Sequence, residues 1–170
     1  MKAAVRDNNP VLYFEYKYLY RRIKGDVPDG DYTIEIGKAD VKRQGSDVVI
    51  FTYGSTVHFS LEAAEIVAKE DGIETMVVDL RTLLPLDEAL ILKSVKATGK
   101  VLIVHEDTLT GGIGAEVAAL ISERAFSHLD APIKRVASLN TPVPFAPSLE
   151  EYVLPDTGKI VKALRELSSY

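Results

Sequence analysis

The sequence predicts an α/β fold: a mostly parallel sheet with helices on both of its faces. Three observations carry this. Short apolar runs of strand type recur from residue 47 onward, each followed by a segment with helical apolar spacing. Glycines punctuate the ends of those helical segments. The chain has 170 residues, room for one such domain with a short segment left over. Right-handed crossovers link parallel strands separated by helices.

The elements follow in order. Val48–Phe51 is a continuous apolar run, expected to be a buried strand ending at Gly54. Ser55 and Thr56 stand where a hydroxyl can cap the next helix. In that helix Val57, Leu61, Ala64 and Ala68 recur at helical spacing, with Glu62, Glu65 and Lys69 opposite and Gly72 at its end. Thr75–Leu80 is the second strand, and Leu86–Ala97 a helix introduced by Pro85 and closed by Gly99. Val101–Val104 is the third strand, Ala115–Phe126 a helix with Val117, Leu120 and Ile121 inward, and Ile133–Ala137 the fourth strand. A loop with Pro142, Pro144, Pro147 and Pro155 leads to a final helix carrying Ile160, Val161, Leu164 and Leu167.

The first 47 residues differ. Val11–Phe14 reads as a short strand, and five of the thirteen aromatic residues fall between Tyr13 and Tyr20. Gly25, Pro28 and Gly30 punctuate the acidic stretch Asp26–Asp31, which reads as an exposed linker. Tyr32–Ile36 and Ala39–Arg43 alternate apolar and polar residues and read as short strands.

Composition excludes several classes. There is no cysteine, hence no disulfide, thiolate metal site or cysteine nucleophile. No apolar run approaches the roughly 18–20 residues of a membrane span. Met1–Arg6 is followed by Asp7, Asn8 and Asn9, so the start does not read as a signal peptide. Residues 1–25 hold six cations against Asp7 and Glu15, a net of +4; with −5 overall, the remainder carries −9. An acidic body argues against nucleic acid, which requires a basic face, and fits a basic protein partner.

In parallel α/β sheets the working loops lie beyond the carboxyl ends of the strands. Here they gather Asp79, Arg81, His105, Glu106, Asp107 and Asn140. His105-Glu106-Asp107 lacks the spacing of a metal-binding H-E-x-x-H helix, and no G-x-S-x-G elbow supplies a nucleophile. His105 and Glu106 are therefore expected to anchor a loop or an interface, and Arg81 to form an ion pair. His58 and His128 are expected to be structural. Thr110–Gly114 precedes a helix, but its glycines do not match the dinucleotide fingerprint; tight turning and close packing explain them. From the residues alone no complete active site emerges.

Six strings in order add a resemblance: FEYKYLYRR (14–22), FTYGSTVH (51–58), DLRTLLPLD (79–87), HEDTLTGGIGAEVA (105–118), LDAPIKRV (129–136) and NTPVPFAPSLEEYVLP (140–155). Together they resemble the C-terminal half of the beta subunit of the thiamine-diphosphate-dependent 2-oxo acid dehydrogenases. HEDTLTGG is nearer the branched-chain type than the pyruvate type. Tyr16 stands where a proline is common, and Asn140 where aspartate is usual.

The resemblance implies a three-layer α/β/α fold of the transketolase C-terminal type, with a mixed five-stranded, mostly parallel sheet. Ala39–Arg43 is then its antiparallel strand. It implies that residues 1–37 are a remnant of a preceding pyrimidine-binding domain plus a linker, and that 38–170 are the C-terminal domain. The parent reaction is oxidative decarboxylation of a branched-chain 2-oxo acid or pyruvate, with acyl transfer to a lipoyl acyltransferase. Thiamine diphosphate and magnesium belong to the full assembly. The expectation for this chain is no catalytic, cofactor-binding or metal residue of its own and no activity alone. Its implied partners are an alpha subunit, a second beta subunit and the acyltransferase's basic subunit-binding domain, with Asp130 and Tyr170 as docking candidates. The expected setting is the cytoplasm, or the mitochondrial matrix in a eukaryote, with a homodimer for the isolated chain. Two other functions fit the same residues: a stand-alone nucleotide-binding regulatory module, and the C-terminal domain of another thiamine enzyme such as transketolase.

Overall fold

A computed structural model describes residues 1–170. Five strands form one sheet: β1 (Asp40–Arg43), β2 (Val48–Thr52), β3 (Thr75–Asp79), β4 (Val101–Thr108) and β5 (Lys134–Ser138). Their order is β1-β3-β2-β4-β5. β1 runs antiparallel to β3, and the other neighbours are parallel. The helices are α1 (Lys2–Arg6), α2 (Thr56–Asp71), α3 (Glu88–Thr98), α4 (Ile113–Ala125), α5 (Pro147–Val153) and α6 (Thr157–Ser168).

The alternation of side chains along a strand divides the core into two layers. Val48 and Ile50 of β2 face Ala64 and Val67 of α2 and Ile160 and Leu164 of α6. Val49 and Phe51 face the other way, onto Ile91 and Val95 of α3 and Val117 and Ile121 of α4. Every residue of β2 is buried. That is why its sequence is a continuous apolar run rather than an alternating one.

Helix ends follow local chemistry. Asp87 caps α3 by accepting from Leu90 N at 3.2 Å, and Asp156 caps α6 by accepting from Lys159 N at 2.8 Å. Gly72 and Gly99 close α2 and α3 in the left-handed conformation.

Some expectations fail for physical reasons. Neither Ser55 nor Thr56 caps α2. The Thr56 hydroxyl is taken by Thr52 Oγ1 at 2.8 Å and the Tyr53 carbonyl at 2.7 Å, and the Ser55 hydroxyl donates to Glu106. Val11–Phe14 and Tyr32–Ile36 form no strand, because no neighbouring strand pairs with either. The terminal region holds two helices, with the first opened by Pro147 and both kept apart by Leu154-Pro155. β4 runs four residues past Val104, so His105 and Glu106 are strand residues rather than loop residues. His128 is exposed on a short 3₁₀ turn rather than built into the core.

The α2–α6 layer yields a direct expectation. Leu164 is fully buried between the sheet and α2. Leu164→Ala removes its side chain without a neighbour to close the gap and is expected to cost about 2–5 kcal/mol, read as a lowered urea midpoint at unchanged slope.

Candidate functional site

The strand order reverses between β2 and β4, since β2 leads to β3 at one side and the chain then crosses back from β3 to β4 at the other. This is the place where open α/β sheets form a crevice beyond the strand carboxyl ends. Here β2 delivers Tyr53 and Ser55, and β4 delivers His105 and Glu106.

Glu106 is the polar centre. Its Oε1 accepts from Ser55 Oγ at 2.5 Å, and its Oε2 accepts from the Tyr16 hydroxyl of the amino-terminal segment. The Tyr16 phenol is pushed up to about 12, first by burial and then by its bond to Glu106. The Tyr53 phenol is also pushed up to about 12, by burial and then by the charges of Asp107 and Glu106. Both phenols therefore stay protonated across the physiological range, and that of Tyr16 acts as a donor.

His105 is enclosed. It is 0% exposed, stacks on the Tyr53 ring at 6.2 Å between centroids, and has no hydrogen-bond partner at Nδ1 or Nε2. Burial pushes its pKa below the ordinary imidazole value, against the pull of Asp107. A methyl group added at Gly114 would lie 2.2 Å from Nε2, and one at Gly112 2.7 Å from Cε1. The glycine run thus makes room for an imidazole. The signal was present in the sequence: a strand histidine followed by G-x-G at the next helix start.

Arg81 takes a left-handed backbone, φ 56°, beyond the end of β3. Its guanidinium donates to Asp40 of β1 at 2.6 Å, while its N–H donates to Asp79 Oδ1 at 3.1 Å. The partner is thus the antiparallel strand, which spacing along the chain does not reveal. Lys42 and then Arg81 hold the Asp40 carboxyl below its ordinary range, and burial raises that of Asp79. Asn140 joins two loops: its Oδ1 accepts from Thr110 N at 2.9 Å and its Nδ2 donates to Thr110 Oγ1 at 2.8 Å.

Asp130 and Tyr170 lie at the opposite end of the sheet, where β4 and β5 begin. Asp130 N donates to the Gly99 carbonyl at 2.8 Å, and Lys100 Nζ donates to the Ser168 carbonyl at 3.4 Å. Asp130 and the last residues are thus linked through consecutive residues 99 and 100. Both Asp130 and Tyr170 are exposed. Asp130 borders an open groove of about 760 Å³ whose walls include Ala118, Phe126, Leu129 and Ile133. The sequence candidates therefore form two groups at opposite ends of the strands, not one site.

A diphosphate with magnesium does not fit these residues. No group of three or more His, Asp or Glu converges as a metal site would require, and the glycine turn at the start of α4 is filled by His105. No helix is long and apolar enough to cross a membrane.

The family model for the transketolase C-terminal domain matches residues 37–160. The chain belongs to that family. It is 54% identical over its whole length to the 2-oxoisovalerate dehydrogenase subunit beta of Bacillus subtilis (strain 168), of which it covers 52%. It is 47% identical to the acetoin:2,6-dichlorophenolindophenol oxidoreductase subunit beta of the same organism, with 97% of this chain and 48% of that one aligned. Among solved structures it is similar to a split-gene transketolase described as an inactive beta4 tetramer, with a TM-score of 0.71 and 30% identity, over 85% of this chain and 46% of the other. The chain spans about half the length of the curated relatives it matches. The resemblance to the beta subunit, read from six strings, and the transketolase C-terminal fold both hold, and the identity to the branched-chain enzyme agrees with the reading of HEDTLTGG.

His105 makes stability pH-dependent with a definite sign. Its pKa is lower in the folded state than in the unfolded chain, so the unfolded chain takes up the proton first as pH falls. The urea midpoint is expected to hold above about pH 7 and to drop as pH falls below the ordinary imidazole value of about 6.5, with the drop reduced in His105→Phe. Gly114→Ala is expected to destabilise by about 1–3 kcal/mol through overpacking, and His105→Ala in the same chain to recover part of it, as a double-mutant cycle measures.

Proposed function

We propose that this chain is the C-terminal domain of a beta subunit from the decarboxylating component of a 2-oxo acid dehydrogenase complex, of the branched-chain kind. The observation that carries the reading is the 54% identity to the 2-oxoisovalerate dehydrogenase beta subunit, greater than the 47% to the acetoin enzyme, in a chain whose fold is that of the family. The reaction of the whole enzyme is oxidative decarboxylation of a branched 2-oxo acid with acyl transfer to a lipoyl acyltransferase. Residues 1–37 are then the exit of a preceding pyrimidine-binding domain, and 38–170 the C-terminal domain. In this reading thiamine diphosphate and magnesium are held by the other parts of the assembly, in the bacterial cytoplasm or the mitochondrial matrix.

The role of this piece is assembly and docking: it meets an alpha subunit and a second beta subunit, and receives the basic subunit-binding domain of the acyltransferase. Asp130 and the Tyr170 carboxylate support the docking reading by their placement. Both are exposed; Asp130 N donates to the Gly99 carbonyl, Lys100 reaches the Ser168 carbonyl two residues before Tyr170, and Asp130 borders an apolar groove. An apolar groove with Asp130 and Arg135 in its wall suits a small basic domain with apolar anchors and a polar rim. The chain alone pairs with itself, because Leu12 and Phe14 are 84% and 88% exposed, and apolar residues of this kind gathered on one segment are buried by association.

Two measurements test this. Titration calorimetry of an isolated subunit-binding domain is expected to show binding that weakens with salt, and Asp130→Asn or deletion of Tyr170 to weaken it by roughly five- to tenfold. Unchanged affinity in both variants removes these residues from the contact. The chain alone is expected to show no saturable uptake of thiamine diphosphate with magnesium, and a calorimetric binding curve overturns that.

A further inference from the structure

Nothing from Met1 to Lys38 is buried. The polar contacts of residues 1–36 are, with one exception, internal. Lys2 and Arg6 pair with Asp31 at 3.2 and 2.8 Å, Tyr20 bonds Glu15, and the Arg22 guanidinium lies 4.0 Å from the Tyr18 ring centre. The exception is a single hydrogen-bonded node between this arm and the body: the Tyr16 hydroxyl donates to Glu106 Oε2. Apolar packing does little to replace it, since Leu12 and Phe14 just before Tyr16 are 84% and 88% exposed. An arm without buried side chains is held by whatever specific bonds it makes, against the conformational entropy of the chain.

The place of the node matters. Ser55 follows β2 and Glu106 lies near the end of β4, the two strands that flank the switch point. Glu106 spans the gap, with Oε1 on Ser55 and Oε2 on Tyr16. Both Ser55 and Glu150 of α5 act on the Tyr16 phenol, so α5 stands at a third side. Ser55 is 2% exposed, although Gly54 beside it is open to water. His105 and Asp107 alternate with Glu106 along β4 and leave the node alone at the mouth. The hydroxyl and the carboxylate that the body offers there are both taken, and the arm takes one of them. The acceptor is a carboxylate, which makes this the stronger class of hydrogen bond.

We propose that residues 1–36 are a strap over the switch-point crevice and that the Tyr16 phenol is its clasp. With the clasp made, Ser55 and Glu106 are covered. With it broken, the strap swings away and the mouth opens, while the sheet and its two helix layers keep their packing. The opening is local, and its equilibrium is set by one bond. It works within one chain and does not depend on the family reading.

The absence of cysteine lets one introduced thiol report alone. Ser55→Cys places a thiol under the strap. Its reaction with N-ethylmaleimide is expected to quicken about tenfold when Tyr16→Phe is added, the effect of losing a hydrogen bond to a charged acceptor. Tyr18→Phe, on the same arm but off the node, is expected to leave the rate as it was. A second measurement keeps Ser55 intact. A nitroxide on Lys17→Cys is expected to broaden the amide resonances of Gly54, Ser55, Glu106 and Asp107, and Tyr16→Phe to relieve that broadening at an unchanged urea midpoint. Broadening that persists in Tyr16→Phe overturns the clasp. Relief of broadening without a faster thiol overturns the closure of the crevice. A lowered urea midpoint in Tyr16→Phe makes the phenol part of the core and overturns the strap. So does broadening found only when nitroxide-bearing chains are mixed with unmodified, isotope-labelled ones, because the arm then sits on another copy.

Discussion

The structure depends on burying both faces of three central strands. β2, β3 and β4 carry apolar side chains in both directions, so neither face tolerates water, and a helix layer is required on each. α2 and α6 supply one and α3 and α4 the other. Crossovers of fixed hand then place the loops after β2 and β4 side by side. The Ser55–Glu106 pair, the enclosed His105 and the Tyr16 contact follow from that placement, since each joins residues that only this strand order makes neighbours.

How far the sequence could be read depends on which partner decides each element. β2 and the inner helix faces were legible because burial alone fixes them: Val48–Phe51 is apolar throughout, and Val117 and Ile121 recur one turn apart. Gly72 and Gly99 were legible because a left-handed residue ends a helix locally. Val11–Phe14 has the same apolar character, but a strand needs a neighbour, and none is beside it. Ser55 shows the same limit. Its position favours a cap, yet a carboxylate 51 residues away draws the hydroxyl out of that role. The pairing of Arg81 with Asp40 rather than Asp79 is likewise set by the antiparallel strand. Glu106 and His105 are legible as candidates from their place after an apolar strand, whereas nothing local to Tyr16, one of several aromatics in its stretch, points to a carboxylate 90 residues away.

The two ends of the sheet differ. The carboxyl ends hold the tyrosine node, the imidazole and the ion pair of Arg81. The amino ends hold Asp130 and the last turn of α6, beside an apolar groove. At one end Tyr16, Glu106 and Ser55, and separately Arg81 and Asp40, are bonded to each other around an enclosed imidazole; at the other the Asp130 side chain and the last residue are exposed. The same β4 connects them, with Lys100 just before its first residue and Glu106 near its last.

Both edges of the sheet are short and cationic. β1 spans four residues and carries Lys42 and Arg43, while β5 spans five, carries Lys134 and Arg135, and is preceded by Pro132. Charged side chains on a short edge disfavour its pairing with a further strand, and the proline withholds a backbone donor where one would start. Growth of the sheet from chain to chain, the route to open-ended fibres, is therefore disfavoured at either side. Any association is left to side-chain surfaces rather than to the backbone ladder.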